Sequence, residues 1–332
     1  MFQEEPKISV HQIAEAVLKL SDFYIAYPDS TTPWDEEFCQ IAYRYYYLPL
    51  NFFRCRRVIS KGDQLGFFTD LSHFIDWGCG PGTASLAFAE SPLKGCTIQK
   101  QILIDQSKQP LKGFDDLHSI LTGVEKTTDI SLKKYLDQKT RTCLTFSYSL
   151  TEVEELPSGW DQFEALMILE PSTSQDGRKL LQLRRQLIEK GYSIWAPCTH
   201  QLTCPLLSES GTDWCHDRIV VDAADWFWRL DNLLPMKNKT ITTSYLLARK
   251  KPGPAFEKNM ARLTGDSRHE KGKTRQLVCR NEKREFLTWM HKKIEPQVFP
   301  RGELVRLNKA IEEKSNELRV LENCEVVTTF TK

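Results

Sequence analysis

Two rhythms of apolar positions run along the chain. Over residues 8–60, Ile13, Ala16, Val17 and Leu20, and then Phe38, Ile41, Ala42, Tyr45 and Tyr46, recur at helical spacing, interrupted by the turn-rich YPDSTTPW. From Leu71 the pattern changes to a short strand ending at Phe74-Ile75-Asp76, a glycine-rich turn, an alanine-rich helix from Thr83 to Glu90, and a second strand at Ile102 to Asp105. Further apolar strands are expected at 144–148, 165–169 and 193–196, with an amphipathic helix over 176–190 between the last two. Such alternation implies a parallel sheet covered by helices on both faces. The strand TTSYLLA (242–248) returns only after an irregular stretch too long for a simple connection, which reads as an insertion. Residues 303–322 are expected to form a charged helix. The organisation predicted is a helical region over 1–65, an α/β core over 66–249 with a Cys-rich insertion at 198–240, and a basic C-terminal extension over 250–332.

Composition narrows the class. With 40% hydrophobic and 27% charged residues in 332, the chain is of ordinary globular make-up, which excludes disordered and fibrous structure. No apolar run approaches the roughly 18 to 20 residues that cross a bilayer. The opening MFQEEPKISV resembles neither a signal nor a transit peptide, so a cytoplasmic location without a membrane partner is expected. The net charge of +1 makes no global case for a polyanion. Residues 249–280, however, hold ten Lys or Arg against three acids. Clustered positive charge on an otherwise acidic chain points at phosphates; the plainer alternative is a solvated loop.

The turn Asp76-Trp-Gly78-Cys-Gly80-Pro-Gly82-Thr83 follows a strand and opens a helix. Its Gly-x-Gly-x-Gly, preceded by an acid, is neither the dinucleotide fingerprint nor a phosphate loop. Glycines let the backbone approach a ligand closely, and a carboxylate at the end of the next strand, Asp105, can accept from two ribose hydroxyls. The pattern suits S-adenosylmethionine, with Asp76, Gly78, Cys79, Gly80, Gly82, Thr83 and Asp105 as candidate contacts. After the fourth strand the residues are Ser147-Tyr-Ser-Leu-Thr-Glu152, so the Asp/Asn-Pro-Pro-aromatic box of amino-directed methyltransferases is absent and no catalytic residue is assigned.

Ten cysteines are scattered along the chain; six of them (39, 55, 79, 96, 143 and 324) stand singly, as buried hydrophobes do. Cys198, Cys204 and Cys215, with His200 and His216, lie within nineteen residues, a density that suggests a metal. The spacing fits no zinc knuckle or ribbon. A fourth ligand could be His200, His216 or a distant cysteine such as Cys279. The chemistry of thiolates admits zinc or an iron-sulfur cluster alike. Trp226, Phe227 and Trp228 read as core of the insertion, or as platforms for unpaired bases.

The segments DWGCGPGTA, LEPSTSQDGR, APCTHQLTCPL, DWCH, SYLLARK and LVCR, in this order, resemble the methyltransferase-like proteins of the small ribosomal subunit, a family of bacterial rRNA methylases and mitochondrial assembly factors. The resemblance runs from about residue 43 to 302. It implies a class I S-adenosylmethionine-dependent methyltransferase (Rossmann-like) fold whose last strand is antiparallel. It also implies binding to the small ribosomal subunit and its rRNA, as a monomer off the ribosome, and a [4Fe-4S] cluster on Cys198, Cys204, Cys215 and Cys279. Two departures are visible: Asp217 stands where the family usually has Phe after DWCH, and KNKTITT (237–243) replaces an acidic segment. Two functions follow, an rRNA methyltransferase or an assembly factor that keeps the fold for binding.

Overall fold

The computed structural model describes residues 2–28, 30–153, 155–307, 310–321 and 326–328. Cys324 lies outside them. The chain forms two compact units, Met1–Leu169 with Ile219–Ile241, and Glu170–Arg218 with Thr242–Lys332, a division that runs through the expected α/β core.

In the first unit the predicted helical lead-in is α1 (Val10–Ala26), α2 (Glu37–Ala42) and α3 (Leu48–Gln64). Ser9 caps α1 through a capping box with Gln12, satisfying two otherwise orphaned amides. Between α2 and α3 the helix widens into a π-helical turn at Tyr43–Tyr47, a feature that recurs at functional sites. The buried stripe Ile13, Val17 and Leu20 packs with Trp226, Phe227 and Leu230 of the helix Asp225–Leu233. Trp226 and Phe227 are therefore core, and Trp228 packs partly buried against the same cluster.

The sheet of this unit contains β1 (His73–Trp77), β2 (Lys100–Ile104), β3 (Glu125–Thr127), β4 (Thr142–Ser147) and β5 (Ala165–Glu170). The order is β3-β2-β1-β4-β5, parallel throughout. β5 is buried along its whole length, as expected of a strand covered on both faces. The glycine turn leads from β1 into α4 (Thr83–Ala89).

The second unit contains β6 (Ser193–Ala196) and β8 (Thr240–Arg249), which pair antiparallel, with β7 (Asp217–Val220) between them in the chain. A parallel 3-2-1-4-5 path and a reversed last strand are the α/β architecture of class I methyltransferases. A helix over Ser174–Glu189 precedes β6.

The C-terminal extension differs from expectation. Residues 303–322 carry strands instead of the expected terminal helix. The elements are β9 (Met260–Leu263), β10 (Arg268–Glu270), β11 (Lys273–Cys279), β12 (Glu285–Met290), β13 (Leu304–Leu307), β14 (Ile311–Lys314), β15 (Glu317–Val320) and β16 (Val326–Thr328). Density of charge suggested a helix, but the period there is two. Leu318 and Val320 point inward, and Glu312 faces Arg319 across a hairpin that turns at Ser315, whose φ is 58°.

The path β14-β15-β12-β11-β9-β13-β16 places β14 and β13 five strand spacings apart, about 24 Å if the sheet were flat. The four residue steps from Leu307 to Ile311 reach at most about 14 Å. The sheet therefore curls into a barrel, and Leu263, Val278, Leu287, Trp289, Val305 and Leu318 fill it.

Candidate functional site

A cleft of about 700 Å³ opens in the first unit where β1, β2 and β4 end. Its floor is the glycine turn. Gly78, Gly80 and Gly82 all have positive φ, at 65°, 52° and 78°. A Cβ on Gly78 would lie 2.5 Å from that of Ser149, so the loop after β4 can approach only a glycine.

The Asp105 carboxylate accepts the Gly80 amide on Oδ2 and the Ser107 amide on Oδ1, both at 2.8 Å. Burial raises its pKa, and these two bonds pull it back. Each oxygen keeps a second lone-pair direction for a ligand hydroxyl. Of the candidate contacts, Gly78, Cys79, Gly80, Thr83 and Asp105 line the cleft.

Asp76 and Gly82 do not. Asp76 turns away beneath α4, where its Oδ2 accepts from the Ser85 amide and hydroxyl, both at 3.1 Å. Its complete burial pushes its pKa up to about 7. In this geometry it anchors the first turn of α4, while its Oδ1 is buried with no hydrogen-bond partner among the described residues. Gly82 lies against Leu103 and His118, and His118 Nε2 is 2.9 Å from the Pro81 carbonyl, bracing the turn from below.

The roof comes from residues the sequence reading passed over. Trp34 stands over Gly80, 3.4 Å from where a Cβ would be. Its ring packs on Tyr43 with centroids 4.3 Å apart, and Gln40 donates to its carbonyl at 3.0 Å. The π-helical turn places Tyr43 there, and the Tyr43 and Tyr24 hydroxyls share a hydrogen bond of 3.0 Å. After β4, Tyr148 adopts a φ of 61°, strained for a residue with a side chain, and lines the cleft with Ser149 and Glu152. Burial, and then the charge of Asp105, raises the pKa of Glu152. Two carboxylates on an enclosed wall favour a cationic ligand. An aromatic at 34 and an acid at 152 carry no local motif, which is why spacing did not reveal them.

The second unit holds the cysteine site. Arg178, on the helix Ser174–Glu189, donates to the carbonyls of Leu206, Ser210 and Asp213 at 2.9–3.1 Å and so ties down a loop with little apolar content. Trp214 packs where Gly177 lacks a Cβ and donates to the Ser172 carbonyl at 2.9 Å. Cys204 and Cys215 pack against Leu181, Leu206, Leu277 and Phe286.

These ties hold the loop that carries Cys204 and Cys215. The Cys279 thiol is pushed well above its ordinary range by burial and then by Cys198, Cys204 and Cys215 in turn. Burial pushes Cys204 up to about 11. Arg184 Nε donates to Cys198 Sγ at 3.1 Å and its Nη2 to the His200 carbonyl at 2.8 Å. Arg262 donates to Cys215 Sγ and to Asp217. His200 Nε2 lies 3.4 Å from Cys279 Sγ, and its pKa is pushed down to about 4 by burial and by Arg184. His216 instead packs tilted against Trp214, and burial, then the charges of Arg301 and Arg262, push its pKa down to about 3. Among the described residues, no group of three or more His, Cys, Asp or Glu side chains is arranged to hold a metal ion.

Arg184 is 2% exposed and has no carboxylate partner among the described residues. A buried guanidinium is stabilised by negative charge nearby, and charge on the Cys198, Cys204 and Cys279 sulfurs would favour it.

A family profile described as "Mitochondrial small ribosomal subunit Rsm22" matches residues 38–295. The chain belongs to this family. The Rsm22 match spans both the glycine turn and all four cysteines. No curated protein matches the chain. Solved structures similar to parts of this Rsm22-family chain include an rRNA methylase from Streptococcus thermophilus, at 14% identity over 57% of this chain and 93% of that one, with a TM-score of 0.33. M. capricolum TrmK in complex with S-adenosyl-homocysteine is 11% identical over 60% and 71%, with a TM-score of 0.35. M. jannaschii TYW2 in complex with AdoMet is 9% identical over 57% and 75%, with a TM-score of 0.30. Nothing about substrate or cofactor follows from likenesses this distant.

Proposed function

We propose that this protein binds S-adenosylmethionine in the first unit and acts on the small ribosomal subunit and its rRNA as a methyltransferase-like assembly protein. The observation that carries the cofactor is the Asp105 carboxylate, held by two backbone amides with lone pairs left toward the cleft. Family membership supports the small subunit as partner. When bound, S-adenosylmethionine supplies an electrophilic methyl group. The chain itself contributes a glycine floor that admits the ligand backbone-close, Asp105 for paired hydroxyls, and Glu152 as a second anionic wall facing a cation. Trp34 and Tyr43 shield the cleft from water.

The second reading is a binding protein without turnover, favoured by Ser147–Glu152, which holds no amine-positioning box. Transfer of labelled methyl to small subunits from cells lacking the protein, with a Gly80→Arg control, separates the two. Label that disappears with the control supports an enzyme; no label with intact particle binding supports the assembly role.

A [4Fe-4S] cluster on Cys198, Cys204, Cys215 and Cys279 is part of the same proposal. Cys198, Cys204, Cys215 and Cys279 would hold such a cluster as thiolates. Arg184 and Arg262 would offset the charge of the sulfurs, and the cluster would join the insertion to β11. Iron and labile sulfide in anaerobically purified protein, lost together in Cys279→Ser, support it; stoichiometric zinc without sulfide refutes it.

A further inference from the structure

We propose that one end of the C-terminal barrel holds the phosphodiester backbone of single-stranded RNA. Its strands run β9-β11-β12-β15, with β12 and β15 parallel, while the successive strands β13 and β14 pair with β9 and β15. Counting β13 and β14 as one bent fourth strand, this is the path of the five-stranded Greek-key barrels that bind oligonucleotides on the face of strands two and three and on the loop between strands one and two.

That loop is here the connection from β9 to β11, and it carries Arg268 and Lys271. The His291 amide donates to the Gly272 carbonyl at 3.0 Å, so the turn after β12, with Lys292 and Lys293, lies beside it. All four cations are exposed, and none has a carboxylate partner among the described residues. This separates them from Lys273 and Arg275, which lie in the same run of basic residues. Those two are matched by Glu317 and Glu270, each at 2.6 Å. One unpaired acid, Glu295, follows in the same loop.

Two flat rings sit at the same edge. The Thr274 hydroxyl, fully buried, bridges His269 Nδ1 at 3.0 Å and His291 Nε2 at 2.8 Å, pinning both imidazoles on residues that are themselves exposed. Unpaired cations beside pinned rings match the two demands of single-stranded RNA: phosphate neutralisation and a surface for base stacking. An acidic protein surface would use the cations alone.

The inference rests on RNA being the partner, as proposed above, and adds where it is held. The test is anisotropy of a labelled mixed-sequence single-stranded RNA with the full-length, anaerobically purified protein across a salt series. Arg268→Glu/Lys271→Glu/Lys292→Glu/Lys293→Glu is expected to weaken binding at least tenfold. It should also flatten the slope of log K against log salt by about 3, four phosphates at about 0.7 each. The matching four-fold Gln variant, which removes charge without adding repulsion, is expected to flatten the slope equally. His269→Ala/His291→Ala should lower affinity with the slope unchanged.

Unaltered affinity and slope in both charge variants, with wild type binding RNA, overturns the site and leaves the RNA partner standing. Displacement of RNA by polyglutamate as readily as by unlabelled RNA overturns it in favour of an acidic protein. Wild type that binds no RNA overturns the partner itself.

Discussion

The carboxylate of Asp105 takes the amide hydrogen of Gly80 at 2.8 Å, closing the glycine turn onto the end of the second strand. Its other oxygen takes the Ser107 amide, so both oxygens must be acceptors. Asp105→Asn can present an oxygen to only one of these donors and sets its NH2 against the other. We expect a loss of about 1–3 kcal/mol in stability, read by urea unfolding, and at least a tenfold loss in S-adenosylmethionine affinity by calorimetry. Unchanged affinity would show that the cofactor does not meet Asp105.

Gly78 and Ser149 cannot both carry a Cβ in the present arrangement, since the added atom would sit 2.5 Å from the existing one. Gly78→Ala should destabilise the protein by about 1–3 kcal/mol, through both crowding and its positive φ. Ser149→Gly on that background removes the crowding and not the backbone strain, so thermal melting should recover only in part. Full recovery would mean the backbone conformation costs nothing.

Asp76 gives a pH dependence of definite sign. Its native pKa is about 7 against an ordinary 3.8, so between these values the native state binds more protons than the unfolded state. Its contribution to stability is complete below about pH 4 and is lost as pH rises through 7, by about 4 kcal/mol at most. Asp76→Asn, which cannot ionise, should flatten the denaturant midpoint of wild type over that window. An unaltered slope would place the ionised form in the folded protein.

Asp217 and Arg262 are both almost fully buried, at 1% and 3% exposure. Removing the acid alone leaves the buried Arg262 cation beside the Cys215 sulfur without its carboxylate partner. Asp217→Ala should cost about 3–5 kcal/mol in chemical unfolding, whereas a paired replacement of both residues by apolar side chains should cost less. Equal losses would show that the charges do not act as a pair.

Much of the first unit is legible locally. The helices from Ile13 to Tyr46, the β1-turn-α4 segment and the end of β2 are written in apolar period and glycine spacing, because each depends on residues a few positions apart. The cysteines were legible as a group, since their density needs no fold to be noticed. Charge density was a poor guide. It suggested a helix over 303–322, where alternation around Ser315 builds a hairpin, and it did not distinguish Lys271, which is exposed, from Lys273 and Arg275, which Glu317 and Glu270 neutralise.

The sequence by itself determined the alternation of strands and helices in the α/β core, the turn that only glycine can adopt, and the grouping of Cys198, Cys204 and Cys215. The tertiary structure alone decided that Trp34 and Tyr43 roof the cleft, that Asp76 holds the first turn of α4, and that Arg184 and Arg262 reach sulfurs 14 and 47 residues away. The difference is physical. Backbone period and steric permission act between neighbours in the chain, whereas the placement of a buried charge depends on which distant strands pair and which side chains that pairing buries together.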